Sequence, residues 1–112
     1  MNSPLPNKKV RGSSSGIAIM AVFDLLGRKW NMKIMWELRS TALSFRAIQR
    51  QCNDMSPSVL NSRLKQLSEA KLLSSTDDGY QLTPSGISLM ETLDPLRVWA
   101  KDWQQELTDE TQ

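Results

Sequence analysis

Residues 45–86 read FRAIQRQCNDMSPSVLNSRLKQLSEAKLLSSTDDGYQLTPSG, and the order of signals within them decides the fold. Phe45, Ile48 and Cys52 recur at i, i+3 and i+7, the period of a helix with one buried face, and this leaves Arg46, Gln49 and Arg50 pointing outward. Asn53, Asp54 and Met55 form a turn. Ser56 and Pro57 then give a helix start, with serine as N-cap and proline at the first helical position. In the helix that follows, Leu60, Leu64 and Leu67 share one face, Ser58, Ser62, Lys65 and Glu69 lie opposite, and Asn61 lies to one side. Two short strand-like runs, Leu72 to Thr76 and Tyr80 to Thr83, flank Asp77, Asp78 and Gly79, where the Asp-Gly pair favours a tight β-turn. Thr83 and Pro84 repeat the cap-plus-proline signal and open another helix.

Working outward toward the C-terminus, this last helix carries the stripe Ile87, Met90, Leu93, Leu96, Trp99, Trp103 and Leu107, with a kink or break expected at Pro95. Toward the N-terminus, Trp30, Ile34 and Leu38 at spacings of four, with Met35 beside them, predict a second helix. Trp36 falls off that stripe and needs a separate partner. Ile17, Met20 and Leu25 predict a first helix that stops at Gly27. Residues 1–16, MNSPLPNKKVRGSSSG, have almost nothing to bury and read as a flexible basic tail carrying Lys8, Lys9 and Arg11. The organisation expected is a tail at 1–16, one folded domain at 17–94, and a C-terminal dimerisation helix with its tail at 95–112.

Three helices, the third and fourth joined by a tight turn, then a two-stranded hairpin and a further helix, give a mainly α fold with a small β-hairpin wing (α+β). This is the order of a winged helix-turn-helix, in which the third helix braces the fourth so that its polar face can enter a major groove about 12 Å wide. Ser58, Asn61, Ser62 and Lys65 are short or flexible hydrogen-bonding groups suited to base edges and phosphates, and Arg46 and Arg50 can clamp the flanking backbone. The helix start at Ser56 offers free N–H groups to a phosphate.

Composition narrows the chemistry. The chain has 112 residues, no histidine and one cysteine, so a histidine-based triad, a Cys/His zinc site and an internal disulfide are excluded, and no constellation supports an enzyme or a cofactor. The longest apolar run, Ile17 to Phe23, is far below the roughly twenty residues of a membrane helix, so a cytoplasmic protein without membrane partners is expected. The formal charge of +2 hides a division: residues 1–71 carry a net +8 and residues 72–112 a net −6. A basic half that meets a polyanion and an acidic half turned elsewhere is the simplest reading.

At these same residues the chain resembles a known family. Gly27-Arg28-Lys29-Trp30, Ile34, Glu37-Leu38, Leu43-Ser44-Phe45, Ser56, Leu60, Arg63-Leu64, Leu67, Leu72 and Tyr80-Gln81-Leu82-Thr83-Pro84-Ser85-Gly86 are similar to the HxlR-type bacterial winged-helix regulators, which are related to MarR proteins. The likeness spans about residues 17 to 107 and implies a homodimeric, DNA-binding transcription regulator whose first and last helices form the interface. Three departures accompany it. Ile17 and Ala18 stand where many members carry a redox-sensing cysteine followed by proline, the wing is short and acidic, and Arg46 stands where the resemblance implies a small helix-capping residue.

Alternatives stay open at several positions. Cys52 reads as core packing rather than a sensor. Arg63, on the flank of the fourth helix, suits an intradomain ion pair as well as a DNA contact. Trp99 and Trp103 can fill a core, line a small-molecule effector cleft between the tryptophans and the core, or pack across a dimer axis, where Leu96 and Leu107 and the first-helix residues Ile17 and Met20 would join them. Two functions are carried forward: a sequence-specific DNA-binding regulator, dimeric on a pseudo-palindromic operator of double-stranded DNA, and a winged-helix protein-interaction module, for which an acidic wing would be natural.

Overall fold

In the computed structural model, residues 16–110 are described, and their elements follow the predicted order: α1 (Ile17–Leu26), α2 (Asn31–Glu37), α3 (Phe45–Gln51), α4 (Pro57–Glu69), β1 (Leu73–Thr76), β2 (Gly79–Leu82) and α5 (Pro84–Glu110). The expected basic tail, with Lys8, Lys9 and Arg11, lies outside the described residues apart from Gly16.

The stripes read from the sequence are the core. Ile34, Met35, Ile48, Cys52, Leu60 and Leu67 are fully buried, and Leu38, Leu64, Leu73, Leu82 and Met90 close around them. Burying such side chains is worth roughly 1.5–3 kcal/mol each. Trp36, off the α2 stripe, finds its partner three residues on: the Arg39 guanidinium lies 3.6 Å from its ring centroid while Arg39 Nη1 donates to the Trp36 carbonyl at 2.8 Å.

The turn between α1 and α2 is pinned from both sides. Asn31 is completely buried at the start of α2, and its Nδ2 donates to the Leu25 carbonyl at 2.8 Å. From α4, Arg63 Nε donates to the Lys29 carbonyl at 2.8 Å. Arg63 thus makes a bond to backbone in place of the ion pair that was one of its two expected roles. Trp30, between these anchors, takes a left-handed φ of 79°, a conformation uncommon for a bulky residue that the surrounding bonds hold in place.

The hairpin pairs Leu73 with Leu82, Ser74 with Gln81, Ser75 with Tyr80 and Thr76 with Gly79, so its two-residue turn is Asp77-Asp78. The sequence placed Asp78-Gly79 at the turn. Gly79 instead serves a close approach: its φ is 117°, and a Cβ there would stand 2.4 Å from the Leu43 carbonyl oxygen. Leu43 and Tyr80 exchange both backbone hydrogen bonds, at 3.0 and 2.8 Å, which makes Leu43 a one-residue third strand that the sequence pattern did not reveal. Thr83 closes the hairpin onto α5, accepting from the Gly86 N–H at 3.1 Å and donating to the Lys71 carbonyl at 2.6 Å.

Of the kink or break expected at Pro95, a break does not form, and α5 runs through it as one helix of 27 residues, about 40 Å long. Proline removes the hydrogen bond to the carbonyl four residues earlier, that of Glu91, and Glu91 is exposed, so solvent can satisfy it. Beyond Leu93 the helix leaves the core: every residue from Asp94 to Asp109 is exposed. The radius of gyration, 15.8 Å, exceeds the roughly 13 Å of a compact chain of this length for the same reason. No helix among the described residues is long and apolar enough to cross a membrane.

Candidate nucleic-acid interface

Local chemistry sets the two helices of the interface. Ser44 caps α3, its Oγ accepting from the Ala47 N–H at 3.1 Å. The small capping residue that the resemblance implied at position 46 is therefore supplied two residues earlier. Arg46 occupies the first turn of α3, where the positive end of the helix dipole opposes a cation by roughly 0.3–1 kcal/mol. Its charge is not there to stabilise the helix. Arg50 sits in the last turn, where the dipole favours it.

Helix α4 is capped as predicted, Ser56 Oγ accepting from the Val59 N–H at 3.2 Å with Pro57 at the first position. Pro57 has no N–H, that of Val59 goes to Ser56 Oγ, and that of Leu60 goes to the Ser56 carbonyl at 3.0 Å, so the Ser58 N–H is left open. The hydroxyl of Ser56 is occupied by the cap.

With Leu60, Leu64 and Leu67 turned into the core, Ser58, Asn61, Ser62 and Lys65 are exposed on the other side of α4, and Arg46 and Arg50 are exposed on α3. None of these six side chains has a hydrogen bond or ion pair within the described residues. The three ion pairs of the described chain lie elsewhere: Arg28 with Asp24 at 3.0 Å, Lys33 with Glu37 at 2.6 Å and Arg97 with Asp94 at 3.0 Å. Arg63 stands apart from the six, half-buried and holding the Lys29 carbonyl. Sequence reasoning missed Tyr80, which with Asn61, Leu64, Lys65 and Ser68 lines a groove of about 380 Å³ between α4 and the hairpin. Its signal was the alternation of β2, which places Tyr80 opposite Ser75, but a half-buried aromatic on a short strand reads first as core.

Cys52 is fully buried, and burial pushes its thiol up, opposed in part by the Lys33 ammonium. Lys33 is itself raised, chiefly by its hydrogen bond to Glu37. Among the described residues no cluster of three or more Cys, Asp or Glu side chains could hold a metal ion. A cavity of about 620 Å³ opens between α2 and α5, walled by Trp36, Arg39, Ile87, Met90 and Glu91. Trp99 and Trp103, which lie beyond the core on α5, are not among the residues that wall it.

Comparison with known proteins decides the family. The model of the HxlR-like helix-turn-helix family matches residues 25–108. The chain belongs to the HxlR-like helix-turn-helix family. An uncharacterized HTH-type transcriptional regulator of Methanocaldococcus jannaschii is 24% identical over 90 residues, 77% of this chain and 85% of its own length. Among solved structures, the quinone-bound YodB of B. subtilis superposes with a TM-score of 0.70 at 27% identity, over 75% of this chain and 96% of that one. A possible HxlR family transcriptional factor of Thermoplasma volcanium gives 0.65 at 28%, over 75% and 82%. This HxlR-like chain is a DNA-binding transcriptional regulator with a winged-helix fold, and a protein-interaction module without DNA binding is not favoured. Family and fold are those of transcriptional regulators. With Ile17 and Ala18 opening α1, this member has no thiol there.

Proposed function

We propose that this HxlR-like regulator binds double-stranded DNA through Arg46, Arg50, Ser58, Asn61, Ser62 and Lys65, with the open Ser58 N–H beside Ser56 at a phosphate and Arg63 holding the turn behind them. The observation that carries this reading is that the six side chains are exposed and unpartnered on two helices whose apolar faces are fully used in the core. Polar groups left free in this way suit base edges and phosphates, whereas a protein-docking face would expose apolar residues.

The regulator acts as a homodimer on a pseudo-palindromic operator in the cytoplasm. From Asp94 to Asp109 more than four turns of helix are exposed along their whole length, and isolated helices of this length are marginal in water. Its apolar stripe, Leu96, Trp99, Trp103 and Leu107, is 44–57% exposed, and Trp99 and Trp103 stack at 5.5 Å. On α1, Met20 and Phe23 are 63% and 61% exposed and Ile17 is half-buried. A second copy covers both surfaces at once. A small-molecule effector is supported by the quinone-bound state of YodB, and the cavity at Trp36 and Arg39 is its proposed seat.

The test is analytical ultracentrifugation at 10 µM together with anisotropy on a labelled 30-base-pair duplex pool. The proposal expects a dimer and salt-dependent binding. A monomer, or a dimer that binds no duplex at low salt, overturns it.

A further inference from the structure

The wing of this chain presents a contradiction. A hairpin beside a recognition helix is well placed to touch DNA, yet its tip carries Asp77 and Asp78, both exposed, which repel phosphate. At the root of the same hairpin the charge is different. The groove of about 380 Å³ between α4 and β2 is lined by Asn61, Leu64, Lys65, Ser68 and Tyr80, with no carboxylate among them.

Tyr80 is held firmly. Its N–H and C=O are both bonded to Leu43, its partner across the hairpin is Ser75, and its half-buried ring packs against the core cluster. The phenol hydroxyl has no hydrogen-bond partner within the described residues, and neither does the Lys65 ammonium across the groove. A firmly held tyrosine and a flexible lysine, neither with a side-chain hydrogen bond among the described residues, therefore line one channel beside the face of α4 assigned above to base contacts.

We infer that the groove at the wing's root seats the DNA backbone, with the Tyr80 hydroxyl donating to a phosphate oxygen and Lys65 neutralising it, while the acidic tip stands off the duplex. This rests on the DNA-binding reading and adds to it a residue and a path for the strand. Fixing the phosphate at the root sets how deeply α4 enters the major groove, because contacts to the backbone fix register while base contacts specify.

The two donors give separable signatures. Lys65 releases a counterion when it neutralises a phosphate, whereas a phenol hydroxyl releases none. Binding of a labelled 30-base-pair random-sequence duplex is measured by anisotropy from 50 to 200 mM NaCl for the full chain, with thermal melting monitored by circular dichroism as a check on folding. Tyr80→Phe, which keeps the ring, is expected to lower affinity by about fivefold at every salt concentration with the log-log slope unchanged. Lys65→Ala is expected to reduce the slope by about 1. Asp77→Asn with Asp78→Asn is expected to alter affinity by less than about twofold, the tip being clear of phosphate. If wild type binds and Tyr80→Phe binds equally well while melting normally, the seat at the root is wrong and the DNA reading stands. A tenfold gain on neutralising the tip places the tip on the phosphates and overturns the assignment. Failure of wild type to bind any duplex removes the DNA reading itself.

Discussion

Helix α4 and the distal part of α5 are both amphipathic, yet they leave opposite faces in water. Helix α4 buries Leu60, Leu64 and Leu67 to 3% exposure or less and presents Ser58, Asn61, Ser62 and Lys65. The distal part of α5 presents Leu96, Trp99, Trp103 and Leu107, all of them exposed. An amphipathic pattern thus says that a helix has a partner for its apolar face, and only the packing says whether that partner is in the same chain. Where the apolar face is satisfied at home, the polar face is free to meet a polar ligand such as DNA. Where it is not, a second protein surface is called for.

The comparison breaks most visibly at the tryptophans. Trp99→Asp with Trp103→Asp places two charges on the stripe and is expected to give a monomer in sedimentation at 10 µM. Affinity for a duplex carrying two half-sites should fall by about a hundredfold or more, the gain from joining two binding units being lost. Binding to a single half-site should survive. A double variant that remains dimeric would show that α5 is not the interface.

Within α4 the two faces can be separated by stability alone. Leu60→Ala empties a fully buried site and is expected to cost roughly 2–5 kcal/mol in urea unfolding. Asn61→Ala, one residue on and exposed, is expected to cost under about 0.5 kcal/mol and to change which sequence is preferred in a selection from random duplexes. Equal losses at both positions would mean that Asn61 is structural.

The arginines sharpen the electrostatic side of the comparison. Arg46→Ala with Arg50→Ala is expected to weaken binding on all sequences and to flatten the salt dependence by about 2 units of log-log slope, one per phosphate. Arg46→Ala should also stabilise α3 slightly, by roughly 0.3–1 kcal/mol, since a cation leaves the first helical turn. A variant pair with unchanged slope moves the phosphate contacts off α3.

Much of this is legible in the sequence because period and punctuation agree. Leu60, Leu64 and Leu67 at helical spacing behind Ser56-Pro57 located the recognition helix, and Thr83-Pro84 located the start of α5. What was not legible depends on contacts distant in sequence. Leu43 becomes a strand only because Tyr80 meets it, and Gly79 is required by the Leu43 carbonyl rather than by the turn. Arg63 chooses the Lys29 carbonyl, 34 residues away. Pro95 reads as a kink or break because local propensity argues for one, and the helix is not interrupted there. The polar side of the candidate interface followed from periodicity, but the groove at Tyr80 needed the hairpin folded against α4.

The smallest expected effect is at Cys52, which belongs with the satisfied face of the comparison. It is fully buried on α3's apolar side, and burial raises its thiol, so little of the reactive thiolate exists near pH 7. Mild peroxide is therefore expected to change neither DNA affinity nor the mass seen on non-reducing gels. The pH dependence has a definite sign. The folded chain keeps a proton that an unfolded thiol gives up at its ordinary value of about 8.5, so the contribution is complete below that pH and is lost as pH rises toward the folded value. Melting temperature should consequently fall more steeply between pH 8.5 and 10 for wild type than for Cys52→Ala, with Lys33 losing its bond to Glu37 at still higher pH in both. Identical slopes would mean that the thiol is not held neutral by the fold. Reversible loss of DNA binding on oxidation, abolished in Cys52→Ala, would make α3 a sensor and place Cys52 on the functional side of the molecule.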